Sequence, residues 1–407
     1  MPLRHVAYWF DRFPRSRRPS YPRFKGGAET SVVIVGCGLT GAACALSFAS
    51  AGVKTIVLEA DAIGAAATAR SLGIGREDFD ASFQQTASTH GLRAARLLWQ
   101  HVRRASLDFP AALRRIGAKC DLAPADLLTF AGRDPDSLRR LQREYQSRRD
   151  AGFDHSWIRP PAFAREAATE SGGAIRTHGF TLDPYRACVA LAGGAASRGA
   201  AIYERSPVRR IRATRKHVDV TSGQGTIRAD AVVIATGAPL ADLRALRRHL
   251  KPQHGYAVVT EPLPAAMRRA IGARRASLRD TAVPPHFLRS LRDERIVFSG
   301  ADQPAVPDRQ RQKALVQRTW ELMYELSLIY PAISGLQPEW SWDFTHYETV
   351  DRLPFIGLHR NFPRHLFAIE GSRHGAAFAW LAARILLRHY LGDPAKGDEL
   401  FGFSRVL

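Results

Sequence analysis

The residues best suited to chemistry lie between Ser31 and Ala60. Gly36, Gly38 and Gly41 form a G-x-G-x-x-G turn, and Glu59 follows at roughly the ~20-residue spacing of an acid that reads a ribose. The first glycine permits a tight turn. The second lets backbone approach a pyrophosphate, and the third lets helix and strand pack closely. The helix that follows points its free N–H groups at the anion. The Glu59 carboxylate accepts from ribose hydroxyls and repels a 2′-phosphate. Together these residues spell dinucleotide binding. A glycine turn that merely packs a helix on a sheet would leave Glu59 unexplained.

The elements that must position them read strand, turn, helix, strand. Residues 31–35 are mostly β-branched and apolar, as a strand buried on both faces requires. Gly52 ends the helix, and residues 53–58 form a second apolar strand.

Composition bounds the rest. A chain of 407 residues can bury a large core and is expected to divide into two domains. Cys37, Cys44, Cys120 and Cys188 show neither disulfide nor metal-ligand spacing, so no metal is expected and a reducing, cytoplasmic compartment fits. No apolar run is long enough to span a bilayer. The first residues carry charge without an apolar core behind it, unlike a secretory signal. The net charge of +21 comes from 59 basic residues, only seven of them lysine, against 38 acidic ones. Arginine scattered through an alanine-rich chain reads as compositional bias. A field for anionic substrates, or nucleic-acid binding, is the alternative. The chain lacks a compact aromatic-and-basic RNA-binding signature, so no nucleic acid is expected.

In chain order, residues 1–29 read as a basic arm, wrapped on the body or disordered. Residues 62–75 are small and glycine-rich, letting backbone run close to a bulky ligand. Residues 91–116 read as an amphipathic helix with Leu92, Leu98 and Val102 on its apolar face. Asp134 with Pro135, and Asp183 with Pro184, open two more helices. Residues 208–222 read as a hairpin, and an apolar strand then ends at Thr236 and Gly237, a second point where only backbone meets a ligand. From residue 251 to 342 the texture is that of a mostly antiparallel sheet. The strand HLFAIE then enters a glycine turn from Gly371 to Gly375 and a last helix, whose N-terminus offers partial positive charge.

The arm's YWF, the glycine fingerprint with Glu59, ARSLG, ATG at 235–237, DRLPFIG and the GSRHG turn together resemble the flavin-dependent amine and amino-acid oxidoreductases of the D-amino acid oxidase type, which include glycine, sarcosine and γ-glutamylputrescine oxidases. The resemblance covers nearly the whole chain. It implies an α/β fold: a Rossmann-like FAD-binding domain (30–90, 172–250 and 343–407) with a second, mostly antiparallel-sheet substrate domain (91–171 and 251–342). By resemblance, Leu39, Thr40 and Glu59 hold the ADP half of FAD. Arg70 and Ser71 run along the pyrophosphate and ribityl chain, Val208 meets the adenine through its backbone, and Arg373, His374, Gly375 and Ala376 meet the flavin ring. Related enzymes often read G-x-S-G-R-N-x-G where this chain has Ala66 to Gly73, which tightens the loop. The cysteine or histidine that tethers flavin in some relatives is missing from the matching places, so non-covalent FAD is expected. The strand ERIVFSG lacks the lysine that some oxidases place near the flavin, which leaves the acceptor open between oxygen and another oxidant.

The implied reaction is hydride transfer from an amine-bearing carbon to flavin, followed by hydrolysis of the imine. Arg373 is the leading substrate residue, because a guanidinium can grip a carboxylate with two parallel hydrogen bonds. His346, Tyr347, Tyr256 and Arg289 are further candidates for the pocket. Half the residues of an alternating strand face away from any ligand. The competing readings are a flavoprotein acting on a macromolecule such as RNA and a non-catalytic dinucleotide-binding protein. The ATG and GSRHG segments oppose a simple NAD site, since a single nucleotide-binding βαβ unit would not need them.

Overall fold

The structure is a computed structural model that describes residues 3–132, 134–237, 243–272, 275–370, 373 and 375–406. The fingerprint strand, Lys25–Val35, lies at the centre of an eight-stranded sheet. It pairs in parallel with Thr55–Leu58 on one side and with Gln224–Ile234 on the other. Ala201–Tyr203 extends the first side. The Val208–Ala213 and Val218–Ser222 hairpin extends the second, and Phe362–Ile369 joins Gln224–Ile234 in parallel further along. Three helices cover one face: Leu39–Ser50, Pro184–Ala196 and Ala376–Leu391, their alanines and leucines locked into one core with Val32, Ile34 and Val233. Alanine permits that close approach of helix to sheet.

A second eight-stranded sheet runs Pro338–Thr349, Leu250–Thr260, Ile296–Pro304, Phe287–Ser290, Ser277–Asp280, Leu127–Phe130, Ala174–Thr177 and Ser156–Ile158. Its pairings are antiparallel except for Ser277–Asp280 beside Leu127–Phe130. The helix Asp308–Ile329 covers one face through Leu315, Leu322 and Leu326. The α/β architecture with a second, mostly antiparallel sheet is therefore as the sequence implies.

Several boundaries differ. Ala174–Thr177 and residues 343–349 sit in the second sheet, although residues 172–250 and 343–407 read as the dinucleotide half. Conversely the long helix Leu92–Arg115 packs Leu98, Trp99 and Val102 into the first core, not the second; its Leu92 is exposed. Residues 25–29, read as the end of the arm, already pair with Gln224–Ile234 as strand; their glycines disguise a ladder that needs backbone alone. The rest of the arm is wrapped on the body: Tyr8 and Trp9 are buried beside Trp340 in the helix Tyr8–Arg12. The two helix starts are as expected, with Asp134 and Asp183 accepting from the amides of Ser137 and Arg186.

Candidate active site

The glycine turn stands at the C-terminal end of the central strand, where ligands bind in open α/β sheets. Gly36 has φ +93°, and a Cβ there would lie 2.7 Å from the Ala235 carbonyl oxygen. A Cβ on Gly41 would lie 1.9 Å from the Gly36 carbonyl oxygen, so only glycine lets the helix close on its own turn. Gly38 is different. It is partly exposed, it caps the helix without a side chain, and its Cβ would meet only Thr68 Oγ1 at 3.1 Å. That leaves a cradle open on the ligand side. Thr40 is partly exposed beside it, whereas Leu39, expected with it at the ADP half of FAD, donates its amide to Thr68 Oγ1 (2.8 Å).

Glu59 accepts from the amides of Cys37 (2.7 Å) and Asp61 (3.0 Å), tying the end of its strand to the glycine turn. Its oxygens keep further lone pairs for ribose hydroxyls. Ser206 donates its amide to the Glu59 carbonyl (2.8 Å), which brings Val208, two residues on, alongside. Thr236 abuts the Gly36 turn, and exposed Gly237 has φ +69°. The carbonyls of Arg70 and Ser71 accept from the indoles of Trp342 (2.9 Å) and Trp9 (2.7 Å), so strand and arm together pin this segment. The part-exposed Gly36 and Gly38, the acid beyond them and this pinned run have the chemistry that the phosphates and ribose of a dinucleotide call for.

A cavity of about 670 Å³ opens between the second sheet, the segment from Phe79 to Gln85, the loop from Thr281 to Pro285 and the helix Pro135–Asp150. Arg373 lines it, 4 % exposed. Its Nη1 donates to Asp302 Oδ1 (2.5 Å), its Nη2 to the Pro285 carbonyl (2.7 Å), and its amide to Asp80 Oδ2 (2.9 Å). His346 also lines the cavity and bonds through Nε2 to Asp302 Oδ2 (2.7 Å). An ionised carboxylate only accepts, so Nε2 carries the proton and Nδ1 of a neutral ring is left as a base. That Nδ1 is buried and has no hydrogen-bond partner among the described residues. Burial works against ionising Asp80, but Arg76, Arg279 and Arg373 hold its carboxyl well below the usual range. Behind Arg373, burial pushes Glu370 up to about 8 although the Gly375 amide donates to it. A Cβ on Gly375 would lie 2.2 Å from that same carboxylate, so a side chain there would have to displace Glu370 where the last helix, starting at buried Ala376, begins.

Of the other expected pocket residues, three point elsewhere. Tyr347 alternates away from His346 and Glu348, which line the cavity, and packs instead against the core of the first sheet. Tyr256 is buried under the helix Asp308–Ile329, its hydroxyl accepting from Gln303 (2.7 Å). Arg289 donates to the Gly73 carbonyl (2.6 Å) and lies over the Trp9 ring, where it braces the Arg70–Ser71 segment. Gly371 and His374 lie outside the described residues.

The site also holds residues that the sequence reading passed over: Arg76, Asp78, Asp80, Arg148, Arg279, Asp302 and Glu370. A signal existed for the first two. Charges packed between apolar Ile74 and Phe79 are rarely buried without a task. Among the described residues, no group of histidine, cysteine, aspartate or glutamate could hold a metal, all four cysteines are free and buried, and no helix is long and apolar enough to cross a membrane.

Comparison with known proteins bears on this arrangement. Residues 31–388 match the family described as FAD dependent oxidoreductase. A probable oxidoreductase OrdL of Haemophilus influenzae is 24 % identical over 402 residues, covering 96 % of this chain and 90 % of that protein. The γ-glutamylputrescine oxidoreductase of Escherichia coli is 24 % identical over 373 residues, covering 90 % and 85 %. The crystal structure of glycine oxidase from Geobacillus kaustophilus superposes with a TM-score of 0.75 at 20 % identity, over 92 % of this chain and 98 % of that one, and so has the same fold. The fingerprint turn, the acid after it and the extent of the family match lead to one conclusion: this chain is an enzyme belonging to the FAD dependent oxidoreductase family.

Proposed function

We propose that the protein oxidises the C–N bond of an amine or amino acid, with FAD held non-covalently in the glycine-turn cleft and the substrate in the Arg373 cavity. The observation that carries this reading is the linked set Arg373, Asp302 and His346 in the wall of that cavity. The activities named for the relatives, on γ-glutamylputrescine and glycine, support the same class. When bound, FAD supplies the hydride acceptor. The protein's task is to hold and deprotonate the amine. Arg373, fixed by Asp302 and the Pro285 carbonyl, presents its remaining N–H groups to a substrate carboxylate. His346 Nδ1 takes the proton of the substrate ammonium, and Asp302 stabilises the imidazolium that results. The imine then hydrolyses to an aldehyde or oxo acid.

The visible spectrum of the purified protein, recorded anaerobically with a panel of amines and amino acids, tests this. A yellow protein bleached by a panel member supports the reaction class. A yellow protein that no amine bleaches rejects it. Release of the yellow colour into the supernatant on acid precipitation checks that the flavin is not covalently attached.

A further inference from the structure

We propose that the wall of the cavity formed by Arg279 and Arg148 is a second anion subsite, so that the substrate is an amino acid carrying a second carboxylate. This deepens the reading above and rests on it. Six arginines line the cavity, Arg140, Arg143, Arg148, Arg279, Arg352 and Arg373, against five acids. Four of the acids are already engaged. Asp80 takes Arg76, Asp302 takes Arg373 and His346, Asp280 takes His286, and Glu144 takes the amides of Phe83 and Gln84 as well as Arg148.

The arginines are not equally matched. Asp78, whose side chain is fully buried, is shared by three guanidinium groups. Arg76 takes it at 3.1 Å, while Arg279 and Arg148 stand off at 3.6 and 3.7 Å, beyond hydrogen-bond reach. Arg148 is 4 % exposed, and its Nη1 is buried with no acceptor among the described residues. Arg279 is largely buried and rests over the Phe287 ring, 5.5 Å from its centroid. A guanidinium taken from water short of acceptors is costly, and an incoming carboxylate supplies them to Arg279 and to the Nη1 of Arg148 that the ion pair with Glu144 leaves unpaired. Burial first, and then the neighbouring Arg76, pull Arg279 below the usual arginine range, as expected of a cation short of counter-charge. Arg373 lies over the same ring, 5.3 Å from its centroid, and both cations line the one cavity, so a ligand held by Arg373 has Arg279 in the same wall. Arg140 and Arg143 on the Pro135–Asp150 helix are exposed at the rim, where they attract an anion without fixing it.

The test is an anaerobic titration of the FAD-loaded protein with glutamate and aspartate against their size-matched amides, glutamine and asparagine, both enantiomers of each. The diacids are expected to bleach the flavin at concentrations about tenfold or more below the amides, the worth of one charge-assisted hydrogen-bond pair. Arg279→Gln should erase that preference by weakening the diacids alone. Equal use of amides, or an equal loss for both in the variant, overturns the subsite. If Arg279→Gln does not fold, Arg279→Lys keeps the charge but not the fork, and should cut the preference at least severalfold; an unchanged preference overturns the proposal. If no amine of any kind bleaches the flavin, the function proposed above fails, and glutarate against glutaramate, read as perturbation of the flavin spectrum, decides the subsite by itself: tighter glutarate that Arg279→Gln abolishes keeps it, and anything else removes it.

Discussion

Asp302 and Arg373 meet at 2.5 Å with both side chains almost wholly buried, and the other oxygen of Asp302 receives His346. One carboxylate thus orients a cation and a base in the same cavity wall. Removing one member of a buried ion pair strands the other, at a cost of about 3–5 kcal/mol. Asp302→Ala should therefore destabilise the protein by that order in denaturant titration and should also weaken substrate binding. Arg373→Ala strands Asp302 in turn and should lose stability of the same order, and it should weaken a carboxylate substrate while FAD stays bound. Unchanged substrate affinity in Arg373→Ala would remove it from the site.

His346 offers a sharper distinction between positioning and proton transfer. If Nδ1 accepts the ammonium proton, His346→Gln keeps a hydrogen bond to Asp302 but loses the base. Flavin reduction should then require the amine to arrive already neutral, so its rate should climb with pH toward the substrate's own amine pKa. A pH profile parallel to that of the wild type would assign His346 a structural role.

The glycines separate fold from ligand. Gly41→Ala forces a Cβ to within 1.9 Å of backbone, so it should cost about 1–3 kcal/mol in stability and expel the flavin. Gly38→Ala meets only a threonine hydroxyl at 3.1 Å, so the melting temperature of the apoprotein should hardly move while FAD affinity falls. The ratio of flavin to protein absorbance, read beside thermal melts, checks both. If Gly38→Ala retains flavin fully, the second glycine does not face the pyrophosphate.

That contrast also marks what was legible in the sequence. The glycine fingerprint is local: turn, helix and acid sit within thirty residues, and each has a steric or electrostatic reason that spacing reveals. The second sheet was legible from alternation. The cavity was not, because its charges come from distant segments and meet only through the fold. Asp302 and Arg373 are 71 residues apart, and Arg76 reaches the Arg373 carbonyl across 297. Strand parity decides which of two neighbours reaches the cavity. His346 and Tyr347 are adjacent and similar in promise, yet the pleat gives one to the cavity and the other to the core. Arg289 lies off that cavity for a related reason: its partner is the aromatic arm, whose docking no local pattern specifies.

His286 supplies a pH dependence that owes nothing to catalysis. Its ring stacks on Phe298 and bonds Asp280 at 2.6 Å and Glu325 at 3.0 Å. Burial pulls its pKa down, but the two carboxylates outweigh that and raise it to about 10. The folded state therefore binds this proton more tightly than the unfolded chain, whose histidine titrates near ~6.5. The stabilisation is fully present below that value and is lost as pH rises through about 10. Denaturant titrations across this window should show wild-type stability falling with pH. His286→Gln, neutral throughout, should be less stable than the wild type at pH 6 and should show a flatter profile up to pH 10. Parallel profiles would mean that the ring is already neutral between its two acids.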